Sequence, residues 1–257
     1  MPFDVVAFLE TQTATALSNV SAVADPVYQI SGDDLLVKKQ ASFLAGLLHI
    51  GVTTPKYAEL RQPSLKVPYR FVKSAISTVV DHRAGFTNLF DRPLPLYGGE
   101  KLNALVMNAT AEYSAVVAFL TSGYIKPEPI TPTHVITAMI DSTLTANIWN
   151  TVTPTFDQDL PAGRYAVIGM KFGSYLADCQ PLACRLVLPE TQWRPGVVSA
   201  EITADKTLFV NLTNDLESKW GLMSEISFPH DNMPKLEVLS LTADTDHMLE
   251  LTLRKVG

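Results

Sequence analysis

Five histidines, His49, His82, His134, His230 and His247, are the side chains in this sequence best suited to moving protons near neutral pH. Three adjoin a carboxylate, in Asp81–His82, His230–Asp231 and Asp246–His247. A carboxylate orients an imidazole only when both point the same way, and adjacent residues on a strand point to opposite faces. The three pairs are therefore expected to be polar loop residues rather than acid–base dyads. Cys179 and Cys184 sit in DCQPLAC with no neighbouring Cys or His to complete a zinc set. Two free thiols are expected, with a bridge across the turn as the alternative. Asp157 and Asp159, in DQDLPAG, supply only two of the six or more oxygens that calcium takes. No G-x-S-x-G elbow, H-E-x-x-H helix or phosphate-cradling glycine loop occurs. Trp149, Trp193 and Trp220 are spread thinly and are expected in the core or at an interface rather than as a sugar platform. The N-x-[ST] triplets at Asn19, Asn108 and Asn211 carry meaning only in a secreted chain. The expectation is a protein with no catalytic residue, no metal and no cofactor.

The elements that would position any site read as β throughout, apart from the N-terminus. Charged residues make up 18% of the 257 and hydrophobic ones 47%, with 17 prolines. Few charges, many Thr, Val and Leu, and frequent Pro describe short strands joined by turns. So low a charge also implies that other chains cover much of the surface. A net charge of −6 and the absence of any Lys/Arg run longer than Lys38–Lys39 exclude a nucleic-acid-coating role. MPFDVVAFLE has Asp4 and Glu10 and no basic start, so it is not read as a secretion signal. No stretch approaches the roughly 20 apolar residues of a membrane span.

Pro95–Gly123 slides onto Pro229–Gly257 without a gap. Pro95 meets Pro229, Lys101 meets Lys235, Leu105 meets Leu239 and Gly123 meets Gly257, always 134 positions apart. Leu249, Leu251 and Leu253 alternate with Glu250, Thr252 and Arg254, in phase with Ala115, Val117 and Phe119 of the first copy. Each copy reads as a hairpin, and an offset near half the length predicts two similar β domains in tandem. The prolines of YIKPEPITPT (124–133) predict an extended joint between them. The resulting division is an arm over 1–25, domains over 26–126 and 134–257, and a linker over 127–133. Val5, Leu9, Thr13, Ala16, Leu17 and Val20 fall near one helical face, so a helix is predicted over 3–20. Residues 81–96 read as a long loop, and 134–149 as a strand pair or one bent strand.

Tandem β halves, a proline-rich joint and sparse charge, together with LPLYGGEKLNALVMNATA, LPAGRYAVIGMKF and LACRLVLPETQWRPG, resemble the double jelly-roll major capsid proteins of tailless icosahedral viruses, the small bacteriophage members in particular. The resemblance implies two tandem jelly-roll sandwiches, and a homotrimer whose six jelly rolls form a pseudo-hexagonal capsomer in the virion shell. It also implies partnership with minor capsid proteins, no direct contact with nucleic acid, and synthesis in a host cytoplasm. The N-terminal helix would lie at the inner base above an internal membrane. Phe3, Val6, Phe8 and Leu9 would then face the particle interior or a neighbouring capsomer. The competing readings are a carbohydrate-active protein of two β-sandwich modules, a glycosidase or amidase, and a virion spike or receptor-binding protein.

Overall fold

The computed structural model describes residues 3–12, 16–51, 55–72, 85–89, 93–108, 112–122, 133–174, 181–198, 227–243, 245 and 247–256. Among these the regular elements are strands, and the chain divides into two compact units, Val5–Tyr124 and Ile125–Gly257 with Met1–Asp4.

The helix predicted over 3–20 is replaced by strand. β1 (Phe3–Gln12) joins a sheet, and β2 (Ser18–Val20) joins another. Residues 3–9 are all buried. A strand covered on both faces shows no alternation, so its apolar run is not distinguishable by periodicity from a buried helix. Leu9 N–H donates to Ser21 O at 2.8 Å and Val23 N–H to Ala7 O at 2.9 Å, so this strand is an integral part of the fold rather than an arm. Phe3, Val6, Phe8 and Leu9, expected to face the particle interior or a neighbour, are instead buried inside the folded chain.

The first unit continues with β3 (Ile30–Ser31), β4 (Asp34–Leu36), β5 (Phe43–Gly51), β6 (Pro55–Arg61), β7 (Tyr69–Val72), β8 (Gly85–Asn88), β9 (Leu94–Pro95), β10 (Lys101–Asn108) and β11 (Glu112–Thr121). One sheet runs β1-β11-β5-β8, with β9 also on β5. The other runs β3-β4-β10-β6-β7, with β2 also on β10. Gly32, at φ +65°, makes the tight turn between β3 and β4 that a side chain would strain. The second unit holds β12 (His134–Ile140), β13 (Trp149–Val152), β14 (Thr155–Phe156), β15 (Arg164–Ser174), β16 (Pro181–Val187), β17 (Gly196–Val198), β18 (Ser227–Pro229), β19 (Lys235–Ser240) and β20 (His247–Lys255). Its sheets run β14-β12-β20-β15-β18 and β13-β19-β16-β17.

The 134-residue offset recurs in the strands. β9 and β18 end at Pro95 and Pro229, β10 and β19 begin at Lys101 and Lys235, and β11 and β20 end at Thr121 and Lys255. The repeated segment is not a hairpin, however. β10 pairs with β6 while β11 pairs with β5, and β19 pairs with β16 while β20 pairs with β12 and β15. The two strands of each copy therefore turn a corner from one sheet into the other. Alternation reveals which face of a strand is buried, and says nothing of its partner. Two further expectations change. The loop read over 81–96 contains β8 and β9, and residues 134–149 split into β12 and β13 in different sheets. Residues 127–132 of the expected linker lie outside the described residues, as does Cys179.

Each unit buries the facing sides of its two sheets. In the first, Leu102, Ala104 and Val106 of β10 and Ala58 and Leu60 of β6 are fully covered. In the second, Leu236 and Val238 of β19 and Cys184 and Leu186 of β16 are fully covered. Burying each such Leu or Val side chain stabilises by about 1.5–3 kcal/mol.

Candidate functional site

The described histidines lie on different strands and turns. His49 lies on β5, buried, opposite Val116 and Gly85. His247 opens β20, buried with its ring 5.8 Å from that of Phe172. His134 meets Tyr165 edge-on at 5.2 Å. His230 accepts the Gly163 N–H on Nδ1 at 3.3 Å, while Asp231 is exposed in a turn. His82, Asp81 and Asp246 lie outside the described residues. Among the described residues, no three His, Cys, Asp or Glu side chains converge to hold a metal ion. Asp157 Oδ1 accepts the Thr137 N–H at 2.8 Å and so braces β12, while Asp159 is exposed. Cys184 is a buried free thiol, and burial pushes its ionisation up, which keeps it protonated and unreactive. Trp149 is buried on β13, Trp193 is half-buried in a turn, and Trp220 lies outside the described residues. Asn19 is exposed on β2, Asn108 ends β10, and Asn211 lies outside.

The structure instead builds two clusters of arginine and carboxylate on outward sheet faces. On β6, Tyr57, Glu59 and Arg61 share the face away from the first unit's core, and Glu59 pairs across to Leu105 on one side and Arg70 on the other. Arg61 donates to Glu59 Oε2 from Nε at 3.1 Å and Nη2 at 2.7 Å. Arg70 Nε donates to Oε1 at 2.7 Å, with its Nη2 on the same oxygen, and the guanidinium lies 4.7 Å over the Tyr57 ring. The two arginines cover the carboxylate completely while remaining 46% and 58% exposed themselves. Burial by itself would raise the Glu59 pKa. The Arg61 and Arg70 hydrogen bonds outweigh it, and the carboxyl stays below its ordinary value.

A depressed native value means that the triad stabilises fully above the unfolded value near 4.5, and that this contribution is lost as pH falls through the native value. Glu59→Gln is thus expected to be less stable than wild type at neutral pH, with the difference shrinking on acidification. Urea midpoints of both proteins between about pH 6 and pH 3 measure this, and a gap that stays constant refutes it.

The second cluster is buried. Arg185 on β16 faces Glu237 on β19, and its Nε donates to Glu237 Oε2 at 2.6 Å. Arg194 Nε stands 3.7 Å from Glu237 Oε1, and the Arg194 N–H donates to Asp4 Oδ1. The Arg185 guanidinium lies 4.0 Å over the Trp149 ring, the cation–π stack that a delocalised cation favours. Glu237 is thus held out of water between two guanidinium groups, and Asp4 accepts from the Arg194 main chain. Sequence reading passed over both clusters because their members are dispersed along the chain. One signal was present: Arg185 in LACRLV and Glu237 in LEVL are single charges flanked by apolar residues, which a buried pair explains.

The two units differ in which sheet has an open outer face. In the first, β11 and β5 are buried on both faces, Val116 and Ala118 as fully as Ala115 and Val117. Its β10-β6-β7 sheet presents Arg61 and Arg70. In the second unit the assignment reverses. β19 and β16 are buried on both faces, and β12 and β20 present an exposed Val135 with half-buried Thr137, Met139, Met248 and Glu250. Lys171 meets Glu250 there at 2.6 Å.

No family model, curated protein or solved structure matches this chain. On the described residues, charge and apolar area lie on broad sheet faces.

Proposed function

We propose that each unit is a jelly roll and that the chain is a structural shell protein, a major capsid protein assembling as a pseudo-hexagonal homotrimer in an icosahedral virion. The observation that carries the reading is the identical strand order of the two units. If the eight main strands of each are numbered in chain order, one sheet is 1-8-3-6 and the other 2-7-4-5. In the first unit these are β1-β11-β5-β8 and β2-β10-β6-β7, and in the second β12-β20-β15-β18 and β13-β19-β16-β17. Pairing 1 with 8, 2 with 7, 3 with 6 and 4 with 5 is a long antiparallel ribbon rolled into a sandwich, the jelly-roll plan found in viral capsid and lectin domains. Two copies in one chain supply six sandwiches from three chains, a tile with near-hexagonal edges.

The competing readings are a glycosidase or amidase of two β-sandwich modules and a virion spike, and the doubled strand order favours the shell. Minor capsid proteins are its expected partners in the virion. Contact with an internal membrane through an N-terminal helix loses its basis, because residues 3–12 form β1. Light scattering coupled to size exclusion is expected to give three times the chain mass, and negative-stain images a hexagonal outline with three-fold symmetry. A monomer at high concentration, or turnover of a glycan substrate, overturns the reading.

A further inference from the structure

We infer that Asp157 and Gln158 act as a side-chain strand that closes the outer edge of β12 and keeps it from pairing with a second copy of the chain. On one side β12 pairs with β20 along its whole length. On the other, among the described residues, β14 reaches it only at Ala138–Phe156 and Met139–Thr155. The next position in that register sets Thr137 against Asp157. The Asp157 N–H donates to Thr137 O at 2.9 Å, but the returning bond runs from the Thr137 N–H to the Asp157 carboxylate at 2.8 Å. The carboxylate thus takes the place of a strand carbonyl. One rung further on, Gln158 Nε2 donates to Val135 O at 2.7 Å, where a main-chain N–H would stand in a continuing strand. Two side chains carry the ladder on after β14 has turned away.

Two further observations say what the closure keeps out. The segment it covers, HVITAMI (His134–Ile140), is rich in β-formers and holds no Asp, Glu, Lys, Arg, Pro or Gly. Segments of this kind stack on copies of themselves when an edge lies open, because identical strands satisfy each other's main chain and match side chain to side chain. The partner kept out is therefore a second β12. The first unit closes the edge of β1, which is first in the same strand order, but does so with main chain. There Leu9 N–H donates to Ser21 O and Val23 N–H to Ala7 O. β1 also carries Asp4 and Glu10, whereas β12 has no charge of its own to blunt its edge. Asp157 and Gln158 are themselves exposed, so their bonds add little to stability, and the carboxylate sets a negative charge beside an edge that has none.

The test compares the full chain with the double variant Asp157→Ala/Gln158→Ala by light scattering and thioflavin T fluorescence across a dilution series. Circular dichroism is expected to show that the double variant folds. Its mass is expected to rise with concentration to about twice that of the wild type or more, with thioflavin T binding. Asp157→Asn keeps an acceptor oxygen for the Thr137 N–H, and Asp159→Ala removes only a neighbouring charge. Both are expected to stay at the wild-type mass. Adding Val135→Lys to the double variant charges the edge and is expected to return it to that mass. A folded double variant at the wild-type mass overturns the inference. If Asp157→Asn or Asp159→Ala associates as strongly, charge and not the closed ladder is responsible, and the inference fails. Association that survives Val135→Lys places the contact on another surface and overturns it too. A double variant that does not fold does the same, because the two side chains would then be holding the fold rather than guarding an edge. None of these results touches the shell reading, which rests on the wild-type mass.

Discussion

Arg185→Ala is expected to destabilise the chain by about 3–5 kcal/mol, the usual cost of removing one partner from a buried ion pair. The loss is large because Glu237 would stay behind. Its side chain is 4% exposed, and Arg194, at 3.7 Å, is too far to replace a hydrogen bond of 2.6 Å. The variant also removes the guanidinium from the face of Trp149 and leaves a void beside it. At roughly 2–4 °C per kcal/mol for a protein of this size, the melting temperature should fall on the order of 10 °C. The control is the double variant Arg185→Met with Glu237→Leu, which removes both charges and fills the volume. Replacing a buried pair by apolar groups is often neutral or stabilising by about 1–4 kcal/mol. Urea denaturation of both proteins separates the cost of an orphaned charge from the net worth of the pair. A single variant as stable as wild type would show that water reaches Glu237.

Gly196→Ala is the second large effect, and its cause is the close approach of two backbones. A Cβ on Gly196 would stand 2.4 Å from the Cys184 carbonyl oxygen, 2.6 Å from the Arg185 Cβ and 2.8 Å from the Arg185 Cα. These belong to β16, which is held on its other side by β19, so they cannot yield. The edge strand β17 must move instead, breaking its pairing of Val198 with Ala183 and the Leu186 N–H to Pro195 O bond of 2.7 Å. Overpacking of this kind costs typically about 1–3 kcal/mol, and more where only main chain can give. Hydrogen exchange should show the amides shared by β16 and β17 losing protection while those shared by β15 and β20 keep theirs. Uniform loss of protection would point to global destabilisation rather than a detached edge.

The all-β class, the doubling and several strands were legible in the residues. RYAVIGMKF lies within β15 and all of ACRLVL but Leu188 within β16, and the 134-residue offset reappears in the bounds of β9–β11 and β18–β20. These succeeded because apolar runs between prolines and glycines depend on local chemistry alone. The N-terminus failed for a definable reason. VVAFLE carries apolar residues that suit a helical stripe and a doubly buried strand equally, and only pairing with β11 decides between them. The hairpin reading of Lys235–Val256 failed likewise: a turn between two alternating strands is the same in sequence whether they pair or part at a corner.

What the chain encodes locally is therefore strand content, turn positions and the inward face of each strand, since these follow from side-chain type and a period of two. Partner choice and the meeting of distant charges came only with the tertiary fold. Glu59 finds Arg70 eleven positions away and Glu237 finds Arg185 fifty-two away, because strands close in space are set by sheet topology and not by spacing along the chain. Whether an outer face is covered or open is likewise decided there, by what the rest of the folded chain leaves exposed to water.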